Sequence, residues 1–279
     1  MNPFFKYIYF FLIGFFLNSC VTSPIIKQKE PGAFVICFWN VKNLSANGLT
    51  RETKGPFIIK FINECDSITF LEIRSVKISM AKEFESAILK EGYSYNCMEG
   101  NAKGEEEGFR KEKYLTCVKK EKFEDLRTSE YADEDNDFAR PPTFFLLGFG
   151  NKKIMVVPFH STPGDKTELT QFQKVIDYAY QNYSDRRIFF GGDFNTGTNY
   201  QKEEFLDTLP YFKVLVQLIL EPTTFANQKH DLIFTDPITA GYCKSKVWKL
   251  DELFPDVDGR KNLEKISDHF PVSVECRWK

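Results

Sequence analysis

Two of the three histidines in this chain stand where a proton could be moved. His160 closes the apolar run Ile154-Met155-Val156-Val157-Pro158-Phe159 and precedes Ser161-Thr162-Pro163-Gly164-Asp165. His269 lies in Ser267-Asp268-His269-Phe270-Pro271, just ahead of the last apolar segment. A histidine titrates near neutral pH, and at the carboxyl end of a strand it points into the crevice where α/β proteins bind ligands. Acids and amides occupy matching places. Asp193 and Asn195 follow the strand Ile188-Phe189-Phe190 in Gly191-Gly192-Asp193-Phe194-Asn195-Thr196-Gly197, where the glycines are expected to let the backbone approach a ligand. Glu72 ends Ile68-Thr69-Phe70-Leu71, with Arg74 two residues on. Asn40 follows Val35-Ile36-Cys37-Phe38-Trp39, and Asp231 opens Leu232-Ile233-Phe234. Any one of these reads equally well as a strand-end cap or a turn residue. Six such groups at six strand edges point instead to general acid–base chemistry beside a carboxylate-held ion.

The elements that must carry them alternate between strand and helix. Apolar runs predict strands at Ala33–Trp39, Ser67–Glu72, Tyr114–Lys119, Thr143–Phe149, Lys153–Phe159, Arg187–Gly192, Asp231–Thr235 and Pro271–Glu275. Several are continuously apolar, as in sheets covered on both faces. Helices are predicted at Lys54–Asn63, Ser75–Glu91 and Asp165–Tyr183. In the last, Asp165 and Glu168 form a capping box, and Leu169, Phe172, Ile176, Ala179 and Tyr183 recur at helical spacing. The charged stretches Glu99–Glu112 and Glu124–Asn136 read as surface loops. No repeat or linker divides the chain, so one α/β domain is expected.

Of the 279 residues, 42% are hydrophobic and 27% charged, which excludes a disordered or fibrous protein. The formal charge of −2 excludes a basic field able to hold a polyanion by counterion release alone. A phosphate-bearing substrate would therefore need a metal ion or a local patch. Residues 1–20 read as a secretory signal: Lys6 precedes an apolar run from Tyr7 to Leu17, too short to span a bilayer. Leu17-Asn18-Ser19-Cys20 resembles the bacterial lipobox, in which the cysteine is lipidated. An ordinary cleaved signal or an anchor is the alternative. Residues 21–31 would be the tether and 32–279 the domain, exported and lipid-anchored in the cell envelope, at an outer membrane or surface. The six cysteines after Cys20 permit disulfides, although Cys37 and Cys117 sit in strand-like runs where cysteine is commonly a small buried hydrophobe. No CxxC pair or Cys/His cluster suggests a metal–thiolate site.

Taken together, these segments resemble the endonuclease/exonuclease/phosphatase superfamily, and within it the deoxyribonuclease I branch. The matching runs are FWNVKNL at Phe38–Leu44, LEIRS at Leu71–Ser75, RKEKYL at Arg110–Leu115 and ARPP at Ala139–Pro142. PFHSTPGD at Pro158–Asp165, GGDFNTG at Gly191–Gly197, TTFANQKHDLIF at Thr223–Phe234 and SDHFPV at Ser267–Val272 complete them. The resemblance implies a four-layer αββα sandwich, two packed mixed sheets flanked by helices, and metal-dependent phosphodiester hydrolysis. It makes His160 the general acid, oriented by Glu112, and His269 the general base, oriented by Asp231. Glu72 would hold Mg2+ or Mn2+, with Asn40 and Asp268 close by, and acidic loops leave room for Ca2+. Asp193 and Asn195 would bind the water and the scissile phosphate. Arg140 would clamp a phosphate oxygen.

The chemistry makes sense of that set. A phosphodiester is anionic and its alkoxide leaves poorly, so a hard cation must offset charge while one imidazole arrives protonated and the other neutral. A carboxylate behind each can set tautomer and pKa. Arg74 would reach a DNA minor groove, an ion pair with a neighbouring acid being the equal alternative. The chain departs from its relatives at Arg110, where the deoxyribonuclease has a groove-packing tyrosine and where a second arginine would still bind the substrate and favour DNA. It departs again at Thr198, where vertebrate enzymes have a disulfide cysteine, and at His230, which replaces a tyrosine and reads as a packing change. A monomeric, sequence-nonspecific DNA endonuclease is the leading expectation. A sphingomyelinase-type lipid phosphodiesterase is the second, although such an enzyme needs an apolar loop where this chain has charged ones. A non-catalytic surface lipoprotein is the third.

Overall fold

Along β1 (Ala33–Leu44) alternate side chains enter two different cores. Phe34, Ile36 and Phe38 point to one side, and Val35, Cys37, Trp39 and Val41 to the other. Both faces are thus covered, which explains the unbroken apolar run. The computed structural model describes residues 32–74, 78–104, 111–197 and 208–278.

Among these, the further strands are β2 (Ser67–Ile73), β3 (Tyr95–Glu99), β4 (Lys113–Lys119), β5 (Asp125–Glu130), β6 (Thr143–Phe149) and β7 (Lys152–His160). They continue with β8 (Arg187–Asp193), β9 (Val216–Gln217), β10 (Asp231–Thr235), β11 (Cys243–Val247) and β12 (Val272–Arg277). The longer helices are α1 (Gly55–Ile62), α2 (Met80–Lys90), α3 (Lys166–Asn182) and α4 (Arg260–Ile266). None is long and apolar enough to cross a membrane. The first sheet has the order β11-β12-β1-β2-β4-β3 and the second β5-β6-β7-β8-β10-β9. Each is mixed: β1 and β2 run parallel, as do β7 and β8, and their other neighbours are antiparallel.

Three apolar clusters make the layers. One holds Phe34, Phe38, Leu71, Val156, Phe189 and Val274 between the sheets. A second packs α1, α2 and α4 on the outer face of the first sheet, through Ile58, Phe61, Phe84 and Leu263. The third packs α3 on the second sheet, where Phe159, Phe172, Phe190 and Phe194 meet edge-on or stacked. The expected αββα sandwich is what forms.

Several local readings change. Asp125–Glu130, read as loop, is an edge strand paired to β6, and Glu99 ends another edge strand. Helix α2 starts at Met80 rather than Ser75, and Ser75–Lys77 lie outside the described residues. The Asp165 carboxylate caps α3 by accepting from Thr167 and Glu168 N–H groups, but Glu168 does not complete the box. Its carboxylate instead accepts from the N–H groups of Thr162 and Ala139 and so ties two loops together. Gly191 and Gly192 serve packing rather than a ligand. A Cβ on Gly191 would lie 2.4 Å from the Phe38 ring across the sheets. On Gly192, at φ 131°, it would lie 2.4 Å from the Phe159 carbonyl.

The six cysteines of the domain pair as Cys37–Cys65, Cys97–Cys117 and Cys243–Cys276, all on the first sheet or at its margin. Cys20 and the expected leader and tether precede the described residues. Residues 32–278 fall within one compact unit, Pro31–Lys279.

Candidate active site

The carboxyl ends of β1, β2, β7 and β8 converge at one edge of the sandwich, where β10 begins and the chain enters β12. Pairing between β1 and β2 shifts register between Asn40 and Leu44, and that between β2 and β4 shifts between Phe70 and Ile73. Such irregularities re-aim side chains at the end of a ladder. Glu72 adopts φ 59° and Asn195 φ 47°. Asparagine tolerates that left-handed backbone, whereas for glutamate it costs about 1–3 kcal/mol that the surrounding fold must hold.

The two histidines form matched pairs. His160 Nδ1 lies 2.5 Å from Glu112 Oε1, and His269 Nδ1 lies 2.8 Å from Asp231 Oδ2. Each pair bridges the two sheets, in opposite senses. His160 ends β7 in the second sheet and takes its acid from beside β4 in the first. His269 precedes β12 in the first and takes its acid from β10 in the second. Both Nε2 atoms face Asp193 Oδ2, each at 3.6 Å. One carboxylate thus stands midway between two imidazoles, each oriented from behind by another carboxylate.

Asn40 completes the centre. Its Nδ2 donates to Glu72 Oε1 and to Asp193 Oδ2, both at 2.9 Å. The Asn43 N–H holds the other Glu72 oxygen, and the Asn195 N–H donates to Asp193 Oδ1. The Asn195 side chain donates to the Ser161 carbonyl. Arg140 donates from Nε to the His160 carbonyl at 2.9 Å and lies 3.3 Å from Glu112. Arg74 folds onto Glu112 at 3.5 Å and Glu72 at 3.9 Å, so the ion-paired alternative describes its position. Asp268 turns to Lys42, 3.1 Å away, on the exposed rim. Arg110 and Thr198 lie outside the described residues.

An acid-rich centre of this kind fits a metal ion. The Glu72 and Asp193 carboxylates share the Asn40 Nδ2 donor, while Asn40 Oδ1 accepts from the Lys42 N–H, so the two acids supply the oxygen ligands that a hard divalent cation prefers. Asp193, Asp231 and His269 also present ligand atoms within 4.8 Å of one another. Holding an ion there would compete with the His269–Asp231 hydrogen bond, so the Glu72 corner fits better.

Charge sets the proton affinities. Burial opposes charge on His160, but the Glu112 carboxylate outweighs it and raises the pKa. Burial likewise opposes charge on His269, and Asp231 with Asp193 raises it to about 10. Asp193 is pushed by burial toward its neutral form, yet the facing histidines pull it down to about 2. Glu112 falls below its ordinary value against burial, because His160, Arg140 and Arg74 favour the anion.

Some supporting groups were not singled out from sequence. The Tyr114 hydroxyl accepts from the His160 N–H at 3.1 Å and donates to the Arg140 carbonyl at 3.2 Å. It sits two residues after Glu112, and that spacing, which puts both on one side of a strand, was the available signal. Ser267 donates to the Asn40 carbonyl and accepts from the His269 N–H, joining the two ends of the chain at the site. Burial lowers the Lys54 pKa to about 8, and its Nζ donates to the Lys42 carbonyl nearby. His230 is buried against the Thr196 carbonyl, with its ring 5.8 Å from that of His269, so it is a wall of the site as well as a packing residue.

Known proteins bear on this arrangement. The chain is 27% identical over 277 residues to mouse deoxyribonuclease-1-like 1, spanning 93% of this chain and 86% of that one. It is 26% identical to mouse deoxyribonuclease gamma, over 91% and 87% of the two chains. Among solved structures, an endonuclease/exonuclease/phosphatase family protein from Leptotrichia buccalis superposes with TM-score 0.62 and 17% identity, covering 88% of this chain and all of that one. A 3′ phosphatase from Neisseria, bound to a product DNA hairpin, gives TM-score 0.59 at 13% identity over 88% of this chain and 100% of that one. No family model matches the chain.

Proposed function

We propose that this chain, a deoxyribonuclease I-like member of the endonuclease/exonuclease/phosphatase superfamily and a phosphodiester hydrolase, is a sequence-nonspecific DNA endonuclease tethered to a bacterial cell envelope. The observation that carries the reading is the pair of carboxylate-backed histidines facing one oxygen of Asp193 at equal distance. Hydrolysis needs a water deprotonated on one side of phosphorus and a leaving oxygen protonated on the other. His269, held by Asp231, takes the proton from water as the new oxygen–phosphorus bond forms. His160, held by Glu112, gives a proton to the 3′ or 5′ oxygen as its bond to phosphorus breaks. Asp193 and Asn195 place the water and the phosphate between them, and Arg140 offsets charge on the phosphate. Magnesium or manganese, held by Glu72 with Asn40 and Asp268 close by, would supply Lewis-acid stabilisation of the developing charge. Calcium is proposed as a further, structural ion.

The lipid anchor on Cys20 rests on the leader sequence. Three disulfides within the domain suit an oxidising compartment and so support export. DNA as substrate is supported by the curated deoxyribonuclease relatives.

The test uses the chain from Val21, incubated with supercoiled plasmid and magnesium or manganese, with and without calcium. Nicking that chelator abolishes and that His160→Ala lacks is the expected result. No cleavage with any metal overturns the DNA reading, and cleavage of sphingomyelin in its place would move the substrate to lipid. Export and anchoring are tested apart, by the loss of full-length Cys20→Ala from the membrane fraction.

A further inference from the structure

The strands that carry the site also have feet. Strand β1 runs from Ala33 to Asn40 at the catalytic edge, β7 from Lys152 to His160, and β8 from Arg187 to Asp193. At about 3.3 Å per residue, six to eight residues put those feet some 20–25 Å from the site, at the opposite edge. There an open cavity of about 380 Å³ is lined by Lys152, Lys153, Arg187, Asp185, Tyr242 and Trp278. The adjoining hollow adds Arg127 and Arg186 against Asp125. Five bases thus face two acids on a chain whose formal charge is −2. Lys153 pairs with Asp185 at 2.5 Å, and the Lys152 ammonium lies 5.1 Å over the Trp278 ring, which packs on Phe34. Tyr242 is 48% exposed.

The described chain enters at this same edge. Ala33 pairs with Arg277, and Gly32 lies against the Trp278 backbone. Only eleven residues, 21–31, separate Cys20 from this edge, at most about 40 Å of chain, so a lipid on Cys20 would keep this edge near the bilayer.

We propose that the foot of the sandwich is a docking face for anionic lipid headgroups, which holds the catalytic edge away from the membrane. Clustered Lys and Arg beside a lipid attachment are attracted by an anionic leaflet, and amphipathic Tyr and Trp suit the headgroup layer. The orientation presents the site to polymers arriving from solution rather than to the lipids beneath. The inference rests on the anchored reading, but its test does not.

The chain from Val21, which carries no acyl group and keeps the compact unit Pro31–Lys279, is sedimented with phosphatidylcholine vesicles with or without one-third phosphatidylglycerol. Binding about tenfold or more tighter to the anionic vesicles, weakened by salt, is expected. Lys152→Glu/Lys153→Glu/Arg187→Glu should abolish that preference while plasmid nicking and thermal unfolding stay as in the parent. Equal binding to both vesicles, or a charge-reversed variant that still prefers anionic lipid, overturns the proposal. So does a reversal that lowers plasmid cleavage and spares vesicle binding, which would make the foot a nucleic-acid contact. Membrane release of full-length Cys20→Ala reports on the anchor separately.

Discussion

His160 and His269 look at the same oxygen from the same distance, yet they stand in different company. The acid behind His160 is shared: Glu112 also lies against Arg140 and Arg74. Among the described residues, no arginine lies in this way against the acid behind His269. The Asp231 N–H donates to Thr223 Oγ1, and burial pushes its carboxyl toward the neutral form while His269 pulls it back. An acid that divides its field among three cations holds a proton on any one of them less firmly. Nearly identical geometry is thereby given two proton affinities, the higher at His269, whose proton must leave before that ring can accept one from water.

Replacing either histidine by alanine should lower plasmid nicking by about 10²–10⁴. The roles separate on a nitrophenyl phosphodiester, whose leaving oxygen needs no proton. His160→Ala should recover most of its rate there, and His269→Ala should not. Equal recovery, or recovery by His269→Ala alone, would reverse or remove the assignment.

The carboxylates come next. Asp231→Asn and Glu112→Gln should each cost about 10–100-fold, as partners that orient a reacting group do. The undivided partner should matter more to titration, so Asp231→Asn should move the pH profile of the rate further than Glu112→Gln. An equal displacement would show that the arginines are irrelevant.

Stability without metal should follow the same asymmetry. His269 is raised from 6.5 to about 10, so its stabilising contribution is complete below pH 6.5 and is lost as pH rises through 10. Asp193 is lowered from 3.8 to about 2, so its contribution is present above pH 3.8 and is lost as pH falls through 2. In chelator the melting temperature should therefore be highest between about pH 4 and 6.5 and fall by several degrees toward pH 10. Calorimetry of His269→Gln should show a flatter alkaline side, and an unchanged slope would contradict this origin.

The smallest effect is expected at Tyr114. Removing its hydroxyl frees the His160 N–H and the Arg140 carbonyl, and a hydrogen bond worth about 1 kcal/mol corresponds to a rate loss of roughly fivefold. Tyr114→Phe should show this on plasmid while sparing the nitrophenyl substrate. Equal loss on both substrates would indicate general loosening of the edge.

The part of the fold legible in the sequence was its interior. All eight strands read from apolar runs are present. The four that were missed, β3, β5, β9 and β11, are the four sheet edges. An edge strand is covered less completely and carries polar residues that discourage pairing with other chains, so Asp-Leu-Arg-Thr-Ser-Glu reads as loop. The site residues were legible because strand ends place them. Their connections were not, because Glu112 reaches His160 across 48 positions of sequence and Asn40 reaches Asp193 across 153. Glu168 shows the same limit: local spacing assigns it to a helix cap, while the folded chain uses it to join loops around Arg140 and His160.

Both histidine pairs reach from one sheet to the other, and that has a consequence for the newly made chain. Neither sheet owns a working half of the chemistry. The first holds a base without its acid and an acid without its histidine, and the second holds the complements. Closure of the Phe34–Phe189 interior brings them into register, so neither histidine–carboxylate pair exists until the two sheets are docked. A chain with its sheets apart holds neither pair, however complete its individual strands.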